Sequence, residues 1–417
     1  MKKQIPPSSG LSTIVNHYNE GDNAYGAHVS PIFQTTTFGF PDVETMQAIF
    51  SGQQHGYVYS RSGNPNVDQL GDKYAYLEGI DLIRQQPDKD PKEIVAGKAV
   101  SAGMAAISAA VLGRVKTGET VITQRDLYGN SFSFFHDFAP RLGINVVWVD
   151  GNTADVWEAA FAKNPHAVLA YTETPANPTM SIVDLSTLSE VAHTYDAWVC
   201  VDNTFASPYH QRPLTRGCDI VIHSTTKFLT GHGNVTGGAI ISTHLDYMKK
   251  DVKMVSKLMG QAPSPMDAWM ANLGLKTFEI RMERHATNGM EMAKFLAQHP
   301  AVDEVYYPGL ESDPGHEVAK QQMLNGFGAL LSFEMKGGYE AGVKLLEAVK
   351  IPTFAVSLGN VDTLIQYPAG MTHLVVPPEE RLKAGISDSL VRLSVGIENI
   401  EDLIADMDRS LKIAVGA

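Results

Sequence analysis

Between residues 67 and 277 the chain repeats one pattern, a short apolar run rich in β-branched residues followed by a stretch of helical period. The runs are 119–123, 145–149, 167–171, 197–201, 219–222 and 238–242. Segments this apolar belong in strands buried on both faces, and the helical stretches between them supply the crossovers that parallel strands require. The pattern predicts an α/β unit built on a mostly parallel sheet. In such sheets ligands gather beyond the carboxyl ends of the strands. Asp202 and the pair His223-Ser224 fall there.

The rest of the chain has a different texture. Residues 1–66 mix Pro, Gly, Thr and aromatics without sustained helical period and read as an extended arm that packs on something else. Segment 85–98 is polar and punctuated by prolines, as a surface insertion would be. Residues 278–417 form a second unit, with strands near 329–333 and 390–395. Its closing helix places Leu403, Ile404, Met407 and Leu411 on one face after Glu401 and Asp402 in the first turn. With 417 residues and 44% hydrophobic content the chain can bury a large core. Its net charge of −13, with no basic block, removes nucleic acid and anionic membrane from the expected partners. Cys200 and Cys218 lack metal-ligand or CxxC spacing and suit packing in a reducing cytoplasm. The first ten residues run into Pro and Ser, and no run of about 18 apolar residues occurs, so neither a leader nor a membrane span is expected.

Lys227 stands among hydroxyls, glycines and short apolar residues in the segment 223–238, with no acidic neighbour. Partial desolvation lowers a lysine's pKa and frees its amine for imine chemistry. A pyridoxal phosphate (PLP) site would need such a lysine, a carboxylate on the pyridinium nitrogen, a phosphate cradle, an aromatic face and a clamp for a substrate carboxylate. Asp202 can serve the ring nitrogen, although Asp-Asn after a strand also makes turns and caps. Gly103, before an Ala-rich helix, allows close approach of a phosphate to backbone N–H groups. Ser224 and Thr226 can add hydroxyls, or merely satisfy a turn. Tyr59 and Arg61, two apart in an extended segment, pair a phenol with a guanidinium that suits an anion, a pattern ordinary exposed strands share. Tyr128, beside a turn glycine, can stack on a ring. Arg392 interrupts the apolar strand 390–395, where a buried guanidinium demands an anion such as a substrate carboxylate; an outward-facing arginine is the plainer alternative.

With these residues the chain resembles the cystathionine/methionine metabolism family of PLP enzymes, which includes methionine γ-lyase, cystathionine γ-lyase, cystathionine γ-synthase and the O-acylhomoserine sulfhydrylases. The likeness runs over nearly the whole length. It is carried by Tyr57-Val-Tyr-Ser-Arg-Ser-Gly-Asn-Pro65, Glu173-Thr-Pro-Ala-Asn-Pro178, Val201-Asp-Asn-Thr-Phe205, Ser224-Thr-Thr-Lys227, Gly231-His-Gly233, Pro368-Ala-Gly-Met-Thr-His373 and Arg392-Leu-Ser-Val-Gly396. The resemblance implies the aspartate-aminotransferase-like fold (PLP fold type I), α/β, with a PLP-binding large domain over 67–277 and a smaller α+β domain over 278–417. It implies Lys227 as the lysine that holds the cofactor and Asp202 as partner of its ring nitrogen. Gly103, Met104, Ser224 and Thr226 would hold the phosphate, while Tyr59 and Arg61 reach it from a neighbouring subunit. Tyr128 would stack on the ring and help the leaving group, and Thr204 would lie under the ring. Asn177, Ser357 and Arg392 would meet the substrate α-carboxylate. The implied assembly is a homotetramer built from two such dimers.

The resemblance also points to the substrate. Val356 is apolar where many cystathionine-handling members carry an acid, which favours a pocket like that of methionine γ-lyase. Asn130, however, stands where those lyases usually have cysteine, segment 254–260 lacks their Lys-Asp pair, and Ala102 replaces their usual serine. The expected substrate is a 4-substituted L-amino acid, methionine-like or, because Asn130 offers both donor and acceptor, with a more polar leaving group such as an acylated oxygen or the hydroxyguanidine of canavanine. The expected reaction is γ-elimination. Its rivals are γ-replacement, as in a sulfhydrylase or γ-synthase, and PLP binding without turnover.

Overall fold

A computed structural model describes residues 5–20, 23 and 25–416; the reading of residues 1–4 lies outside them. The six expected strands appear as β2 (Thr120–Gln124), β3 (Asn145–Val149), β4 (Ala167–Glu173), β5 (Trp198–Asp202), β6 (Ile220–His223) and β7 (Gly238–Ser242), joined by an unexpected β1 (Ala96–Val100). Their order is β1-β7-β6-β5-β4-β2-β3. Strands β2 to β6 pair in parallel, and β7 runs antiparallel to both β6 and β1. The mostly parallel sheet is therefore present, closed at one edge by an antiparallel pair.

β1 corrects the reading of 85–98 as an insertion, because residues 96–98 are strand. The sequence hides it for a steric reason. Helix α3 (Pro65–Gln85) lies across β1 so closely that a Cβ on Gly97 would sit 2.4 Å from the Gly71 carbonyl oxygen. Where α3 approaches at Gly97 only a small residue fits, and Lys98 interrupts the run, so it loses its apolar signature. The arm also departs from expectation, since it contains α1 (Leu11–His17) and α2 (Val43–Phe50). α1 spans less than two turns and has no side-chain cap, too short for a period to show, yet Ile14 and Val15 are fully buried. Ser12 N donates to Glu279 at 2.7 Å. α2 is capped by Asp42, which accepts the Thr45 N–H at 2.6 Å, and buries none of its residues.

The second sheet comprises β8 (Val302–Tyr306), β9 (Leu330–Met335), β10 (Thr353–Phe354), β11 (Leu364–Gln366) and β12 (Leu390–Ser394), in the order β10-β11-β12-β9-β8. The closing helix, Ile400–Val415, buries Leu403, Met407 and Leu411 as its spacing predicts. One apolar cluster runs from Val221 and Ile241 of the first sheet to Phe333 and Leu393 of the second, which fixes the two sheets against each other. Among the described residues no helix is long and apolar enough to cross a membrane.

Candidate active site

Glu173, Asp202 and His223 end β4, β5 and β6, and the loops beyond them meet β12 and the segment before β11 around a cavity of about 290 Å³. Lys227, Tyr128, Asp202, Gly103, Met104, Thr204, Ser224, Thr226, Asn177, Val356, Ser357 and Arg392 all border it. Tyr59, Arg61 and Asn130 do not.

At one end α4 (Gly103–Arg114) points its N-terminus into the cavity with no side-chain cap on Ala102. Its first-turn N–H groups thus have no side chain to satisfy them, as a helix that receives an anion requires. A Cβ on Gly103 would lie 2.7 Å from Ser224 Cβ, so glycine is what lets this helix end approach the Ser224 loop. Thr204 Oγ1 accepts the Ser224 N–H at 2.8 Å, and Thr226 Oγ1 accepts the Gly237 N–H at 2.9 Å. These bonds fix the hydroxyl-bearing loop beside the helix.

At the other end Lys227 Nζ donates to Ser357 Oγ at 2.8 Å. Burial, reinforced by the like charge of Arg392, lowers the lysine pKa to about 8, against the opposing pull of Asp202. Asp202 accepts the Thr204 N–H at 3.0 Å; burial raises its pKa, while Thr204, His223 and Lys227 oppose the rise. Arg392 is almost wholly buried. It donates to Asn177 Oδ1 at 2.8 Å and to the Ser357 carbonyl at 2.6 Å, and its Nε has no partner. Its partners in the chain are neutral, and burial lowers its pKa to about 9. A guanidinium so placed is an anion site in waiting. Ser357 adopts φ 88°, a left-handed conformation costly for a residue with a Cβ. That geometry turns its hydroxyl to Lys227 and its carbonyl to Arg392.

Val356 is 54% exposed at the cavity mouth. Asn130 is exposed and meets the site through Tyr128, whose hydroxyl accepts its Nδ2–H at 2.9 Å. Tyr59 is 43% exposed, and Arg61 donates to the Lys257 carbonyl at 3.0 Å, away from the cavity. Among the lining residues to which the sequence reading gave no role are Glu173, Phe205 and Thr372. Glu173 was within reach, because the strand-end rule that singles out Asp202 applies to it equally. Thr372 sits in the motif 368–373, whose His373 is buried against the Leu127 and Asn177 carbonyls.

The residues fit PLP on structural grounds: an uncapped helix end with a glycine cradle, a desolvated lysine, a strand-end carboxylate, and a buried guanidinium that lacks a counter-ion. A family model described as "Cys/Met metabolism PLP-dependent enzyme" matches residues 12–412. The L-methionine gamma-lyase of Fusobacterium nucleatum subsp. nucleatum is 46% identical over 407 residues, covering 97% of this chain and 98% of that one. The L-methionine gamma-lyase of Porphyromonas gingivalis is 44% identical over 414 residues, with 99% of each chain covered. Among solved structures, cystathionine gamma synthase from Xanthomonas oryzae pv. oryzae, in complex with aminoacrylate and cysteine, superposes with TM-score 0.89 at 35% identity. The match covers 98% of this chain and 99% of that one.

Proposed function

The chain belongs to the Cys/Met metabolism PLP-dependent enzyme family, and on that premise we propose that it eliminates a polar γ-substituent from a 4-substituted L-amino acid. It is a PLP-dependent enzyme of the methionine γ-lyase type, with the aspartate-aminotransferase-like α/β fold. The observation that carries the proposal is the placing of Lys227 against Ser357, with Arg392 beside it unpaired at Nε. An amino acid whose carboxylate lies on Arg392 and Asn177 presents its α-carbon to the lysine amine, which burial keeps ready to take a proton.

Bound PLP supplies the electron sink that makes the α and β protons of an amino acid removable. Gly103, Met104, Ser224 and Thr226 would hold its phosphate, and Asp202 would serve its ring nitrogen. Thr204 orients both Ser224 and Asp202. Lys227 moves the protons. Tyr128 would cover the ring and serve the leaving group: because its oxygen accepts from Asn130, its own O–H is free to donate elsewhere. Val356 lines the tail side without charge, and Asn130 beside Tyr128 supplies an amide for a polar tail, as in O-acetylhomoserine or canavanine.

The test is a panel assay of holoenzyme with methionine, cystathionine, homocysteine, O-acetylhomoserine and canavanine, each with and without sulfide or cysteine. We expect 2-oxobutyrate or homoserine, fastest from an oxygen-linked tail. Homocysteine in the presence of sulfide, or a new thioether in the presence of cysteine, as main product would make it a γ-replacement enzyme, and no product from any substrate would leave only PLP binding.

The same reading places the cofactor domain at 67–277 and the smaller domain at 278–417. It also places Tyr59 and Arg61 at the phosphate of a neighbouring subunit, in a homotetramer of two dimers. The support is their position outside the chain's own cavity, on an arm whose helix α2 buries nothing. A cytoplasmic location is supported by two cysteines that are buried and free.

A further inference from the structure

Strands β4 and β5 end on carboxyl groups that share one face. Glu173 and Asp202 are register partners on adjacent parallel strands, whose backbones run about 4.8 Å apart. Both border the cavity, and Glu173 is only 4% exposed. Two carboxyl groups so close in a dry site do not both ionise.

The surroundings decide which one keeps the proton. Asp202 receives the Thr204 N–H and lies near Lys227, whose charge favours its ionised form. Glu173 Oε2 accepts the Tyr128 N–H at 2.9 Å, and that bond and the nearby Ser131 hydroxyl favour its ionised form, while its Oε1 is buried with no hydrogen-bond partner. Asp202 and Asp126, the latter from the loop after β2, both oppose its ionisation, as burial does more strongly. Lys227 and Arg392 border the same cavity. Tyr171, two residues earlier on the strand, and Tyr128 are phenols that burial holds neutral.

We infer that Glu173 is a positioning residue, an uncharged carboxyl that fixes Tyr128 through its backbone N–H and leaves the pair's single negative charge on Asp202. Tyr128 caps the short helix Gly129–Ser133, so holding its N–H sets where the phenol begins. The inference rests on the γ-lyase reading for its kinetic arm alone.

Glu173→Gln keeps the shape, the neutrality and an acceptor oxygen; Glu173→Leu keeps burial but removes the acceptor. In holoenzyme, the pH midpoint of the absorbance band from the cofactor–Lys227 linkage is expected to match the parent in Glu173→Gln, with kcat/KM close to the parent's. Glu173→Leu, checked for full cofactor content, is expected to lose roughly tenfold in kcat, the effect of one lost hydrogen bond. A downward shift of about one unit in the Glu173→Gln midpoint would mean that a negative charge had been removed, and would overturn the inference. Unchanged kcat in Glu173→Leu would overturn the positioning role. If the parent turns over no substrate, the γ-lyase reading fails while the band titration still reports the charge on Glu173.

Discussion

Burial makes the Lys227 amine a weaker base, with its pKa near 8 instead of the ordinary 10.5. Between these values the folded chain binds fewer protons at this group than the unfolded chain does. Cofactor-free protein therefore gains stability as pH rises through that window, and below about pH 8 the full cost of charging the buried amine is present. Lys227→Met removes this dependence. From pH 7 to 10, parent stability relative to the variant is expected to rise by about 2 kcal/mol in denaturant titrations; parallel profiles would show an undepressed lysine. Lys73, also lowered to about 8 by burial, is common to both proteins and cancels. Asp126 acts by tethering. Two residues before Tyr128, it accepts the hydroxyls of Thr179 and of Ser181, the latter at 2.8 Å, and so ties the Tyr128 loop to the one carrying Asn177. Asp126→Ala should raise KM roughly tenfold with a smaller change in kcat, as expected for loosening a binding group; steady-state kinetics decide. Lys227 and Asp202 were legible because their oddity is local. The Arg392–Asn177 bond joins positions 215 apart, and no spacing rule reaches that far, so Asn177 entered through the family motif alone.

At the scale of elements, runs that bury both faces were legible and elements that only fit tightly were not. β2 to β7 announce themselves by apolarity, whereas β1 is shaped by the room that α3 leaves it. α3 itself buries residues around much of its circumference, including Glu78. Glu78 Oε1 meets His223 Nε2 at 2.5 Å and Asn203 Nδ2 at 2.8 Å, and both side chains of the Glu78–His223 pair are nearly inaccessible. The contact bolts α3 to the ends of β5 and β6, where Asp202 and Lys227 are mounted. A residue inside a helix gives no sequence sign of this, since a Glu there reads as a solvated face. Removing one partner so that a buried polar group is left unsatisfied costs about 1–3 kcal/mol, so Glu78→Leu should lower unfolding free energy by that order. Glu78→Gln, which keeps an acceptor, should recover part of it. Equal stability of all three proteins would show that α3 is held by apolar packing alone.

For the whole molecule, the question is what the arm meets. Arg61 reaches the Lys257 carbonyl, next to Leu258, which is 73% exposed, and on α2 Phe50 is 66% exposed. Apolar groups left open in this way mark contact surfaces, and Tyr59 and Arg61 of the arm lie among them. If that pair completes a neighbour's phosphate site, two different defects should repair each other. Arg61→Ala subunits keep Lys227 but lack a donor for the partner, and Lys227→Ala subunits keep the donor but lack the amine. Each alone should be inactive. Subunits mixed one to one, unfolded and refolded together, should regain about one quarter of parent activity, because random pairing in a two-fold dimer gives that share of intact sites. No recovery, in a mixture that forms heterodimers on native gels, would place Arg61 at its own subunit's site, and full activity of Arg61→Ala alone would place it at none.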